Sequence, residues 1–347
     1  MADDSASADG ATGLESRLAA YLAEKLPDAS DVRVDGLERI FGGASRETYR
    51  FVLRTRREGE DESRRLILRR DPPGSLIDTE RAVEFAAYRA FYGTAVPVPE
   101  ALWLEQESSW LDYPFFIMEE LAGLESSAQA AAPHATKLAP QKWSILGEIS
   151  KADPAALGLD NVMAPVAAEE CWQRELGYWE NEIDQHELCP QPIARAAIRW
   201  LRRHPPPPAQ RLSVVHADYR TGNFLFDEEG TIRGILDWEM AHLGDPLEDL
   251  AWGLNPVWQS ADGLAGGIAP REDAIRIWEE ASGLRANPEA LHWWELFSSV
   301  KGQAIWVSSA KEFTDGKNQE LILALAGWLM GNRQDRAMLA AMGHHES

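Results

Sequence analysis

The chain has 347 residues, 45% of them hydrophobic, and a formal net charge of −22. This length exceeds one average domain and suits two lobes around one cleft, with enough apolar content for real cores. The acidity argues against nucleic acid and anionic membrane as partners, because both reward Lys/Arg patches; it fits a cationic substrate or an ordinary acidic surface. Cys171 and Cys189 are the two cysteines and show no C-x-x-C or Cys/His spacing. They indicate neither a disulfide framework nor a zinc site, and both read as packing residues. The N-terminal MADDSASADGAT is acidic and small, not basic and then apolar, so neither a signal nor a transit peptide is expected. No apolar run approaches a membrane span. A cytoplasmic, reduced setting is expected.

Residues 1–12 read as a disordered tail and 14–26 as an amphipathic helix ended near Pro27. Residues 37–41 and 48–53 read as strands joined by the tight loop Gly42-Gly43-Ala44-Ser45. The charged stretch Arg56 to Arg65 reads as a hairpin loop before a third strand beginning at Leu66. Helical patterning at 78–91 is followed by strands at 101–104 and 115–118, with a turn near Asp112. Residues 126–135 form an Ala-rich connector, and 137–151, 169–187 and 193–204 look helical. Pro205 to Pro208 is a rigid, donor-free spacer. Further helices fill the last hundred residues, with Trp293, Trp294, Trp306 and Trp328 expected in a core. The Trp-rich helices suit a monomer's core and a dimer interface equally.

The most informative stretch runs from Val214 to Leu250, VVHADYRTGNFLFDEEGTIRGILDWEMAHLGDPLEDL. His216, Asp218 and Asn223 fall in the pattern H-x-D-x-x-x-x-N, which puts a carboxylate and an amide on one loop. A short strand from Phe224 to Phe226, a turn at Glu228-Glu229-Gly230 and a second strand from Ile232 to Leu236 deliver Asp237 back beside that loop. Moving a phosphoryl group from ATP to a hydroxyl needs a carboxylate near the attacking oxygen and oxygen ligands that hold Mg²⁺ against the phosphates.

On these residues the segment resembles the aminoglycoside phosphotransferase and choline kinase superfamily. The wording D-W-E-x-A-H-x-G-D-P-x-x-D-L is similar to the branch that holds actinobacterial phosphotransferase-like proteins and kinase domains linked to acyl-CoA dehydrogenases. The resemblance implies an α+β, protein-kinase-like two-lobed fold: a β-rich nucleotide-binding lobe over residues 13–122 and a mostly helical catalytic and acceptor-binding lobe over 123–347. It implies ATP and Mg²⁺ as cofactors, Asp218 as catalytic base, and Asn223 and Asp237 as metal ligands. His216 would brace the loop, and Arg220 stands where similar protein kinases carry a lysine that touches the transferred phosphate.

The resemblance also gives Gly42, Gly43 and Ser45 a place over the ATP phosphates, where glycine allows close approach. The phosphate-pairing lysine is missing, since no lysine lies between Lys25 and Lys137. Arg69 takes its place, with Glu84 as partner and Glu80 as the alternative. Met118 would gate the adenine, held by backbone groups of Glu119 and Leu121. Asp245 and Asp249 would start a helix and brace the loop, and the direction of Glu239 and His242 is open.

The expected activity is phosphorylation of a small-molecule hydroxyl, hydroxyacyl-CoA-like or aminoglycoside-like. A CoA compound asks for a basic patch, for which Arg54 to Arg57 and Arg64 to Arg70 are candidates unless they form a solvated hairpin. A catalytically weak or silent protein of kinase fold, nucleotide-binding or a scaffold, is the alternative, and its support is the missing lysine.

Overall fold

The structure, a computed structural model, describes residues 4–40, 47–71, 81–317 and 321–343. The chain divides into two units, residues 1–89 with 99–122 and residues 90–98 with 123–347.

The first unit holds α1 (Asp4–Lys25), β1 (Ser30–Ile40), β2 (Glu47–Arg57), β3 (Glu60–Arg70), most of α2 (Arg81–Phe91), β4 (Ala101–Glu105) and β5 (Phe115–Glu119). The strands form one antiparallel sheet in the order β1-β2-β3-β5-β4. Leu66 and Leu68 of β3 and Phe51 and Leu53 of β2 point to the face covered by Leu18, Tyr21 and Leu22 of α1. The alternation of a strand sends Ile67 and Arg69 to the opposite face. Helix α1 begins at Asp4, well before the Leu14 at which the apolar pattern starts.

The charged stretch Arg56 to Arg65, expected to be a loop, is a strand ladder instead. Arg57 pairs with Glu60 in register, and only Glu58 and Gly59 turn the chain, with φ of 50° and 89°. Two positive φ values match the twist of a two-residue hairpin turn. Cross-strand charges then line up, Arg56 with Asp61 at 3.0 Å and Arg57 with Glu62 at 3.8 Å. Further along, Arg54 meets Asp35, Arg64 meets Glu100, Arg65 meets Glu120 and Arg70 meets Glu47. The arginines are matched by acids and form no basic patch. Strand β1, at the sheet edge, breaks register between Ser30 and Arg33 and again between Asp35 and Glu38.

The second unit continues with α3 (Ala128–Ala131), α4 (Ala135–Lys151), α5 (Cys171–His186), α6 (Pro192–Arg203), β6 (Ser213–Val215), β7 (Phe224–Phe226), β8 (Ile232–Ile235), β9 (His242–Gly244), α7 (Leu247–Leu254), α8 (Arg271–Ser282), α9 (Pro288–Thr314) and α10 (Leu321–Ala341). β7 and β8 form the expected hairpin, whereas β9, too short to show a pattern, pairs with β6. Trp293 and Trp294 are buried and Trp306 is half-buried. Trp328, expected in a core, is 72% exposed, because α10 turns Leu323, Gln334 and Met338 inward and leaves Leu321, Leu325, Trp328 and Leu329 outward. Cys171 is buried as a packing residue, but Cys189 is exposed, and both are free thiols. No helix among the described residues is long and apolar enough to cross a membrane.

Gly147 sets the approach of α4 to α8, since a Cβ there would lie 2.4 Å from the Ala281 Cβ and 2.9 Å from the Ser282 backbone nitrogen. Gly147→Ala is expected to lower the stability to unfolding by about 1–3 kcal/mol, read from urea titration; an unchanged midpoint would show that the two helices part freely.

Candidate active site

The loop after β6 takes an unusual path, and its surroundings hold it there. Ala217 has φ +69°, a left-handed conformation that destabilises a residue with a Cβ by roughly 1–2 kcal/mol. The Asp249 carboxylate on α7 accepts from the backbone N–H of His216 at 2.6 Å and of Ala217 at 2.8 Å. Lys301 on α9 donates to the Ala217 carbonyl at 2.6 Å.

His216 is fully buried and joins two chain segments. Its Nδ1 accepts the Asp218 N–H at 3.2 Å, which puts the ring proton on Nε2, 2.9 Å from the Leu236 carbonyl. These contacts suit the bracing role that the resemblance implies.

Asp218 is half-buried, and donors reach both of its carboxylate oxygens. Trp252 Nε1 donates to Oδ1 at 2.8 Å, Asn223 Nδ2 donates to Oδ2 at 2.6 Å, and Arg220 Nε lies 3.3 Å from each. Asn223 Nδ2 also reaches the Asp218 carbonyl at 2.9 Å, so both hydrogen bonds of this amide to Asp218 fall on its nitrogen. Gly222, with φ +114°, lets the chain turn into Asn223. The Asn223 carbonyl accepts the Leu236 N–H at 2.8 Å, and Phe224 pairs with Ile235. That register places Asp237, at φ +70°, next to Asn223 along the ladder. Asp218, Asn223 and Asp237 therefore share one corner of the second unit.

In the first unit Arg69 and Glu84 form a buried pair at 2.6 Å, with side chains 10% and 0% exposed. Glu119 ends β5, its N–H donating to the Glu100 carbonyl at 2.9 Å, and Leu121 follows it, half-buried. Gly42, Gly43 and Ser45 lie outside the described residues, as does Glu80.

A family model described as the phosphotransferase enzyme family matches residues 36–294. The chain belongs to that family. Among curated relatives, acyl-CoA dehydrogenase family member 10 of Mus musculus is 32% identical over 223 residues, covering 60% of this chain and 19% of the relative. Acyl-CoA dehydrogenase family member 11 of Homo sapiens is 24% identical over 307 residues, covering 80% of this chain and 38% of the relative. The chain thus spans well under half the length of these relatives. Among solved structures, a Ralstonia eutropha protein provisionally described as an aminoglycoside phosphotransferase has a TM-score of 0.72 at 22% identity, covering 95% of this chain and 99% of its own. Aminoglycoside phosphotransferase APH(4)-Ia in ternary complex with ADP and hygromycin B has a TM-score of 0.59 at 17% identity, with 95% and 99% covered. These likenesses show the kinase-like fold, a five-stranded antiparallel sheet in one unit and a mostly helical second unit.

In this phosphotransferase-family chain the sequence hid several buried groups around the loop. Lys301 pairs with Glu248 at 3.0 Å, each side chain 1% exposed. His242 bonds Glu248 at 3.1 Å and lies 3.6 Å from Glu175, so it turns into this cluster. Burial disfavours the His242 cation, yet Glu175 and Glu248 outweigh it and raise the ring to about 9. Burial likewise opposes ionisation of Glu248, but Lys301 and His242 hold its carboxyl well below the usual carboxylate range. Glu175, His242 and Glu248 offer three ligand atoms within 4.8 Å of one another. Arg174, Lys301 and the His242 proton already balance those carboxylates, which accounts for the grouping.

Lys142 on α4 is fully buried, 3.2 Å from the Thr221 hydroxyl and 4.7 Å from the Trp143 ring centre. Burial first, and Arg220 second, push its ammonium down from 10.5 to about 7. The unfolded chain holds this proton up to about pH 10.5 and the folded chain releases it near 7, so the destabilisation is full below pH 7 and fades as pH rises towards 10.5. Lys142→Met is therefore expected to be more stable than the parent at pH 6–7, with the advantage shrinking by pH 10. Thermal unfolding across that range tests it, and a constant difference would refute the assignment.

Proposed function

We propose that the chain is an ATP- and Mg²⁺-dependent kinase acting on a hydroxyl of a small molecule. The observation that carries this reading is the Asn223 side chain, whose nitrogen is committed to Asp218, which leaves its oxygen as the atom that a cation would use. A scaffold has no use for that orientation.

Asp218 then accepts the proton of the acceptor hydroxyl as its oxygen bonds the γ-phosphorus and the bond to ADP breaks. Asn223 Oδ1 and the Asp237 carboxylate are hard oxygen donors of the kind that suits Mg²⁺, which, when bound, neutralises phosphate charge. Arg69, oriented by Glu84 as the usual lysine would be, supplies a planar fork for the α/β-phosphates. Because the Glu119 N–H is already bonded to Glu100, its carbonyl is the group assigned to adenine, with the Leu121 backbone beside it. Gly42, Gly43 and Ser45 keep their proposed place over the phosphates. The cytoplasm is the setting proposed.

Two features bear on the acceptor. Arg220 lies over the Trp258 ring at 5.0 Å and next to Asp218. A guanidinium repels ammonium groups and attracts carboxylate, carbonyl or phosphate oxygens, which supports a metabolic hydroxyl compound over an aminoglycoside. The names of the relatives, acyl-CoA dehydrogenase family members, point towards a hydroxyacyl-CoA-like acceptor. The acid-matched arginines of the first sheet lend that reading no support.

Mg²⁺ with ATP is expected to raise the melting temperature more than either alone, and hydroxyacyl-CoAs and aminoglycosides are then screened for ADP release. Asp218→Ala should lower ADP release by about 10²- to 10⁴-fold while keeping the nucleotide-dependent rise in melting temperature. Parental turnover in that variant would sink the mechanism, and no thermal shift with ATP would favour the silent scaffold.

A further inference from the structure

Asp218 is oriented by a group that the motif does not contain. Trp252 lies on α7, 1% exposed, and its indole N–H donates to Asp218 Oδ1 at 2.8 Å. Three residues earlier on the same helix, Asp249 clamps the backbone N–H groups of His216 and Ala217. Residues three apart share a helix face, so one turn of α7 grips both the backbone and the side chain of the catalytic loop.

The indole itself has little freedom. Trp258 meets it edge-on at 5.4 Å with an interplanar angle of 72°, and the Lys301 ammonium lies 5.2 Å from its ring centre. The same ammonium is bonded to Ala217 and Glu248. The N–H direction is therefore set by three elements, α7, α9 and the segment around Trp258.

Resting on the reading of Asp218 as the base, we infer that Trp252 is a positioning residue for phosphoryl transfer, fixing the plane of the carboxylate. Trp252 holds one oxygen and Asn223 the other, so the carboxylate cannot rotate about its Cβ–Cγ bond without breaking one of the two. Each oxygen has two acceptor positions; Oδ2 takes Asn223 and, at 3.3 Å, Arg220 Nε, which leaves one position on Oδ1 beside Trp252 for the acceptor hydroxyl. A neutral donor suits this task, because a second cation at Oδ1 would compete with proton uptake by the base. Without the indole N–H, the carboxylate would turn towards Arg220.

Trp252→Phe removes the N–H and keeps a ring against Trp258 and Lys301. With Mg²⁺-ATP and water as the acceptor, ADP formation should fall about tenfold in kcat with the KM for ATP within about twofold. In a ¹⁵N-labelled protein, the indole resonance missing from Trp252→Phe should be displaced in Asp218→Asn, whatever the rate of turnover. Parental kcat in Trp252→Phe, or an indole resonance indifferent to Asp218→Asn, would overturn the inference. The spectroscopic arm needs only the parent and Asp218→Asn if the indole is assigned directly, so it stands should Trp252→Phe fail to fold. Failure of the base assignment shows up separately, as turnover surviving in Asp218→Ala.

Discussion

The candidate site depends on one buried carboxylate. Asp249 takes two consecutive backbone N–H groups, and those two bonds offset the unfavourable left-handed turn at Ala217. The turn reverses the chain at the end of β6, so that His216 faces the core and Asp218 faces the corner shared with Asn223 and Asp237. With the clamp gone, two buried N–H groups would lack partners, each destabilising by about 1–3 kcal/mol. Burial pushes the Asp249 carboxyl up, opposed by His216, and the bonds it accepts keep it useful as a clamp.

Around that clamp lies a buried set of charges whose members justify one another. Lys301 is tolerable in the core because Glu248 faces it, and Glu248 because Lys301 and His242 do. Removing one partner of such a set is strongly destabilising, because the other is left as an uncompensated buried charge. Lys142 is the exception. Its surroundings are a hydroxyl, an aromatic face and another cation, and it yields its proton more readily as a result. The contrast shows how local composition, and not depth alone, decides the charge of a buried amine.

What the sequence disclosed was what is local. The spacing of His216, Asp218 and Asn223, and the hairpin that returns Asp237, follow from a few consecutive residues and a period of two. The Arg69–Glu84 pair joins a strand to the next helix, a short reach that resemblance sufficed to anticipate. Lys301 and Trp252 were hidden because their relevance comes from contacts 84 and 34 residues away. Lys301 even lies past residue 294, where the family match ends. The run Arg56 to Arg65 misled because charge density was read as loop, whereas opposite charges in register suit an exposed ladder. Trp328 misled because hydrophobic residues were assumed inward, a rule that runs in one direction only.

The edge of the first sheet has a consequence for how the protein behaves at high concentration. An open strand is a template on which another chain can add, and long flat apolar edges invite fibrils. Strand β1 interrupts its own register twice and carries Arg33, Asp35, Glu38 and Arg39 along its length. A neighbouring chain attempting to dock there would meet an interrupted ladder and charged side chains already paired within this chain, Arg33 with Asp31, Asp35 with Arg54, Glu38 with Arg50 and Arg39 with Glu47. The irregularities that make β1 a poor strand thus also make it a poor template for strand addition.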